Sequence, residues 1–118
     1  MRFTRKIEKE LLFELLIYLL ALFSIIHFFH NNSLLLITLF ILWMIGVKFW
    51  HKKHDIIFFV AGAVVGSLSE IICIHFGAWQ YANPSFLGIP VWLPFAWGLA
   101  MMIIKRFAET FVKIEMKR

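Results

Sequence analysis

Apolar residues in this chain fall into four long runs, set apart by short clusters of basic, polar or turn-forming residues. The first, Leu11 to Phe29, is interrupted by Glu14, and the second, Ser33 to Phe49, carries Lys48 at its end. The third, Ile56 to Phe76, contains Glu70 and His75, and the fourth begins at Pro90 and continues to about Ile104. Crossing about 30 Å of hydrocarbon takes about 20 helical residues. The stretches 11–29, 33–49, 56–76 and 90–104 meet or approach that length. Helices are predicted rather than strands, because a lone spanning segment must pair its own backbone.

The connections are short. Asn31-Asn32-Ser33 predicts one tight turn and His51 to Asp55 another, so the first three helices are expected as antiparallel neighbours. Beyond Ile104, Phe107, Phe111 and Ile114 are spaced among charged residues, which predicts a short amphipathic helix over 107–118 on the cytoplasmic surface. The expected architecture is all-α: one domain over residues 1–118, an integral membrane four-helix bundle with short loops.

Composition strengthens that expectation. Hydrophobic residues make up 62% of the 118 and charged residues 16%, against roughly 25% charged in an average soluble domain. A small globule leaves much of its surface exposed, so this apolar excess calls for lipid as solvent. Leu11 to Phe29 is longer than a signal-peptide core, and no small-x-small pattern follows it, so it is expected as a retained helix.

The net charge of +5 changes the picture through its placement. Arg2, Arg5, Lys6 and Lys9 precede the first run; Lys48, Lys52 and Lys53 lie between the second and third; Lys105, Arg106, Lys113, Lys117 and Arg118 follow the fourth. These are all 12 Lys and Arg residues, and the other two connections hold none. The positive-inside rule then predicts cytoplasmic N and C termini and a multi-pass protein of the cell (cytoplasmic) membrane. Expected partners are membrane lipids, a second copy or a membrane partner subunit; basic residues beside apolar runs suit lipid headgroups, and nucleic acid is not expected.

Candidate chemistry concentrates between Gly62 and Trp97. Gly62, Gly66 and Glu70 recur every four residues and share a narrow helix stripe. Glycines there admit a second helix backbone, and Glu70 is expected to point into the bundle, roughly 9 Å below the outer helix end. A carboxylate at that depth is costly unless paired, hydrated or protonated. The protonated form would suit a proton donor or carrier, or a purely structural hydrogen bond. Glu14 and Lys48, at similar depth near the inner boundary, are expected as an ion pair.

The outer connection carries Trp79, Tyr81, Asn83-Pro84, Gly88, Pro90, Trp92, Pro94 and Trp97. Aromatic residues at this level form either an interfacial belt or a bent, rigid lid over a pocket for an apolar ligand. On the pocket alternative Glu70 is the candidate catalytic residue, and Gly66, His75, Trp79, Tyr81, Asn83, Trp92 and Trp97 are the candidate ligand contacts. His27, His30 and His75 are metal-ligand types, yet no HExxH-like spacing accompanies them, and no metal or cofactor is expected. Phosphate-binding Gly-rich loops and the Gly-x-Ser-x-Gly elbow do not occur in the sequence.

Glu70, Phe76-Gly77, Trp79, Tyr81, Leu87-Gly88-Ile89-Pro90 and Trp92-Leu93-Pro94-x-x-Trp97 are similar to a segment of small, uncharacterised prokaryotic multi-pass membrane proteins that carry Ile-Pro-x-Trp-Leu-Pro. More distantly the same segment resembles membrane carotenoid hydratase and lycopene cyclase-like families, with Trp79 where those families lead one to expect an aromatic hydroxyl. The second resemblance implies Glu70 as the acid that protonates a polyene double bond. Three functions are therefore expected as alternatives: binding of a lipid-like or isoprenoid ligand or a membrane partner near Glu70; an isoprenoid hydratase- or cyclase-like enzyme with Glu70 as general acid; and a small proton-coupled transporter subunit.

Overall fold

Each apolar run becomes a helix. The structure, a computed structural model, describes residues 5–50 and 54–116; Arg2, Lys52, Lys53, Lys117 and Arg118 of the charge pattern, and His51 of the inner turn, lie outside them. Among the described residues the fold is all-α, with α1 (Arg5–Phe28), α2 (Asn32–Trp50), α3 (Asp55–His75) and α4 (Leu93–Met116). Two of the four, α1 and α3, are long and apolar enough to cross a membrane. The apolar part of α2, Asn32–Lys48, is shorter. The α1–α2 turn and the α3–α4 connection share one end of the bundle, called here the upper end.

Local chemistry sets the helix boundaries. Asn31 caps α2, its Oδ1 accepting the Leu34 N–H at 3.0 Å, which satisfies one of the donors a helix start leaves open. Pro94 sits in the first turn of α4, where a missing N–H costs nothing. The stretch 107–116 prolongs α4 without a break. It is held against α1: Thr110 Oγ1 donates to Glu14 at 2.8 and 3.0 Å, Lys113 Nζ meets Glu10 at 2.9 Å, and Ile114 is buried.

Helix α4 is the common neighbour of α1, α2 and α3, whereas α3 runs alongside α4 alone. This corrects the expected row of three antiparallel neighbours, because α3 reaches α2 only through side chains such as Phe59 against Trp43, 5.5 Å between ring centroids. Glycine explains the preference. A Cβ at Gly62 would stand 2.7 Å from the Trp97 carbonyl oxygen, and one at Gly98 2.8 Å from that of Phe59. The two backbones approach as only glycine allows.

The lower end holds the charged side chains. Asp55, at the start of α3, accepts from Lys105 at 3.0 Å and Arg106 at 2.5 Å on α4, all three largely buried. The expected Glu14–Lys48 pair does not form: Lys48 is exposed, and the buried Glu14 is bonded by Thr110 instead. The reason lies in the packing order, since α4 rather than α2 presents polar groups to the lower half of α1.

Candidate functional site

At the upper end a cleft of about 360 Å³ opens between the last turns of α1 and the α3–α4 connection. Ile25, Ile26 and Phe29 form one wall, and Tyr81, Pro90 and Trp92 face them. Its position depends on how the connection is folded. Leu87 (φ 49°) and Gly88 (φ 86°) are consecutive left-handed residues at the tip of a two-residue reversal, closed by Ile89 N–H to Phe86 O at 2.9 Å and Phe86 N–H to Ile89 O at 3.1 Å. Two positive φ values are the signature of a type I′ turn. The reversal packs on α3, a Cβ at Gly88 being 2.8 Å from the Ile74 side chain, and leaves Ile89 and Pro90 buried.

Side-chain amides brace the connection against α1 and α2. Asn32 Nδ2 donates to the Asn83 carbonyl at 2.8 Å and to Ser85 Oγ at 3.0 Å. Asn83 Nδ2 in turn donates to the Phe29 carbonyl at 3.0 Å, and Ser85 Oγ also accepts from the Val91 N–H at 3.1 Å. The cleft is thereby built on a rigid frame rather than on a free loop.

Tyr81 is the polar centre of the wall. Its hydroxyl donates to Glu70 Oε2, and its ring meets Trp92 edge to face, 6.2 Å between centroids at 88°, a favoured aromatic geometry. Trp92 is only 5% exposed, and its Nε1–H finds no acceptor among the described residues. Burial, and then the bond to Glu70, push the Tyr81 hydroxyl well above the usual tyrosine range. The folded chain therefore favours the neutral phenol, so Tyr81 contributes full stability below about pH 10 and loses that contribution as the pH rises further. In an alkaline absorbance titration, Tyr81→Phe is expected to remove a tyrosinate phase that lies above the usual tyrosine range. An unchanged late phase would place Tyr81 outside this buried bond.

The candidate residues thus divide. Glu70, Tyr81, Asn83 and Trp92 come together at or directly behind the cleft wall, Glu70 holding Tyr81 rather than lining the cavity. Gly66 and Trp97 form a helix contact, a Cβ at Gly66 falling 2.2 Å from the Trp97 ring. Trp79 is 47% exposed, and the exposed His75 ring lies edge-on to Phe76; neither is among the residues lining the cleft. His27 stacks on Phe23 and His30 lies tilted against Phe29, and no group of three metal-ligating side chains occurs among the described residues.

The α1 wall and the Asn32 brace were not foreseen. Ile25, Ile26 and Phe29 read in sequence as ordinary span residues, and Asn32 as a turn residue. The only signal available was the pairing of a polar Asn31-Asn32 turn with a polar Asn83 and Ser85 at the same end. Comparison of the chain with protein-family profiles, with curated proteins and with solved structures finds no match to any of them.

Proposed function

We propose that this chain is a four-span membrane protein whose upper cleft binds a lipid-like molecule from the outer leaflet. The observation that carries the membrane assignment is an inverted helix pattern. The buried stripe of α1 holds Glu14, Ala21 and Ser24 beside Ile7 and Ile17, and that of α3 is Asp55, Gly62, Gly66 and Ser67, while Leu19, Ile26, Val65 and Leu68 are more than half exposed. A helix in water shows the reverse. With most of the polar and small groups inside and most of the branched apolar groups outside, lipid is the solvent that fits. The alternation of the 12 basic residues then orients the upper end outward, with both termini cytoplasmic.

Topology is checked by thiol labelling after Cys73, the only cysteine, is changed to serine. His30→Cys is expected to react with an impermeant reagent added to intact cells, and His54→Cys only after the cells are opened. The opposite result would reverse the orientation.

An apolar cleft with a few fixed polar groups is how a site for a small hydrophobic ligand is built. Tyr81 supplies the polar contact, and Glu70 acts as its positioning residue. The wild type, Tyr81→Phe and Glu70→Ala are to be purified in mild detergent and their co-extracted lipids identified by mass spectrometry. A lipid enriched in the wild type and reduced about tenfold in both variants is expected, the equivalent of one lost hydrogen bond of about 1.4 kcal/mol. The same lipid profile in all three would sink the proposal.

The Tyr81–Glu70 pair favours one second reading, an intramembrane enzyme in which Tyr81 gives its proton to an isoprenoid double bond and takes one from a protonated Glu70, whose carboxylate then recovers the proton lost from the carbon beside the cation, leaving an isomerised or cyclised product. Glu70→Gln separates the two. Glutamine still accepts the Tyr81 bond but cannot relay a proton, so ligand retained with conversion lost identifies the enzyme.

A further inference from the structure

Below the cleft, along the seam between α1 and α4, lies a second, narrower depression of about 80 Å³. Tyr18, Ala21 and Leu22 on α1 and Ala96, Ala100 and Ile103 on α4 border it. Ile25 lines both depressions. From Phe29 to Tyr18 the path follows eleven residues of α1, roughly 16 Å, about half of a hydrocarbon core of about 30 Å. Its lower end is closed by Tyr18, whose ring meets Phe107 edge to face at 6.2 Å. One turn further down begins the polar contact of Glu14 with Thr110.

The two parts differ in chemistry as well as width. Tyr81, Asn83 and Trp92 line the upper cleft, and the Trp92 N–H, buried in its wall, has no acceptor among the described residues. The lower seam is bordered by apolar side chains, with Tyr18 at its foot. No lysine or arginine lies between Lys53 and Lys105 or between Lys9 and Lys48, so the upper end has no such cation to receive a phosphate or carboxylate. A ligand head that fits is therefore uncharged, and it offers an oxygen acceptor to Trp92 or a hydroxyl donor to the Tyr81 oxygen, whose own proton is held by Glu70.

Resting on the lipid-binding function proposed above, we infer that the ligand is a neutral, single-chain lipid. Its hydroxyl or carbonyl head lies at Tyr81 and Trp92, and its one apolar chain lies in the α1–α4 seam as far as Tyr18. The narrow seam admits one chain, and its length confines that chain to one leaflet.

The test uses the full-length protein in mild detergent and two photoreactive hexadecanol probes, one with a diazirine next to the hydroxyl and one with it at the chain end. The head probe is expected to label Ile26 or Ala82, and the tail probe Leu22, Ala96 or Ala100, as mapped by peptide mass spectrometry. Excess hexadecanol should suppress both labels at least tenfold, while hexadecyl phosphate should not. Head label in the cleft with tail label scattered over the exposed residues of α3, such as Val64 and Val65, would overturn the seam and leave the cleft reading standing. Scatter of both labels would overturn both readings. Equal competition by hexadecyl phosphate would overturn the neutral head. Ala100→Phe, which fills the seam, should abolish the tail label and keep the head label; the wild-type maps decide the matter even if that variant does not fold.

Discussion

Replacing Gly62 by leucine is expected to separate α3 from α4 and leave a chain that fails to accumulate in the membrane. A Cβ at this position meets the Met101 side chain at 2.3 Å and the Trp97 carbonyl at 2.7 Å. The methionine can move, but the carbonyl belongs to the backbone of α4. Even alanine should cost about 1–3 kcal/mol, the usual penalty for overpacking a close contact; leucine adds three carbons with nowhere to go. Gly77 makes the useful contrast. Nothing lies within 4 Å of a Cβ there, and its positive φ of 82° limits the cost of alanine to the strain of a left-handed residue, about 1 kcal/mol. Denaturant midpoints in detergent, measured by circular dichroism, should rank Gly77→Ala above Gly62→Ala, with Gly62→Leu lowest or absent. A Gly62→Leu protein as stable as the wild type would mean that α3 does not lie against α4.

The second large effect is expected at the lower end. Asp55→Ala removes the carboxylate that accepts from both Lys105 and Arg106, and breaking a buried ion pair from one side typically costs about 3–5 kcal/mol. Arg106→Ala should cost less, because Lys105 remains on Asp55 at 3.0 Å and Glu109 lies 3.2 Å from Lys105. Unfolding measurements on the two single variants and the double variant form a cycle that isolates their coupling. A double variant no less stable than Asp55→Ala alone would fit the bond seen here. Strict additivity of the two losses would rule it out.

Much of the fold was legible in the residues because long apolar helices announce themselves by length and composition. Each of the four apolar runs lies largely within one helix, but α1 begins six residues before its run, and the polar stretch after Ile104 reads in sequence as a separate surface helix. Thr110, Lys113 and Ile114 continue the same helix because α1 offers them Glu14 and Glu10, and a pairing between helices about a hundred residues apart leaves no local trace. Neighbour order was illegible for a similar reason: turn length says which helices are consecutive, while the close approach at Gly62 and Gly98 decides which ones touch. At the site, the Gly66–Glu70 stripe and the aromatic connection pointed to the end of the bundle where the cleft lies. They could not show that Glu70 would be taken up by Tyr81, or that Trp79 would turn outward, since both depend on the tertiary course of the connection.

The central position of α4 has a consequence for how the chain is made. Synthesis proceeds from the amino end, so α1, α2 and α3 are complete before the helix on which all three lean has left the ribosome. Until then α1 and α2 can settle against each other, but α3 has no helix to lie along, and its glycine face and Asp55 wait for their counterparts. Assembly is therefore governed by the last helix to emerge, and a released chain cut before Leu93 should hold a hairpin of α1 and α2 beside a third helix that is not docked.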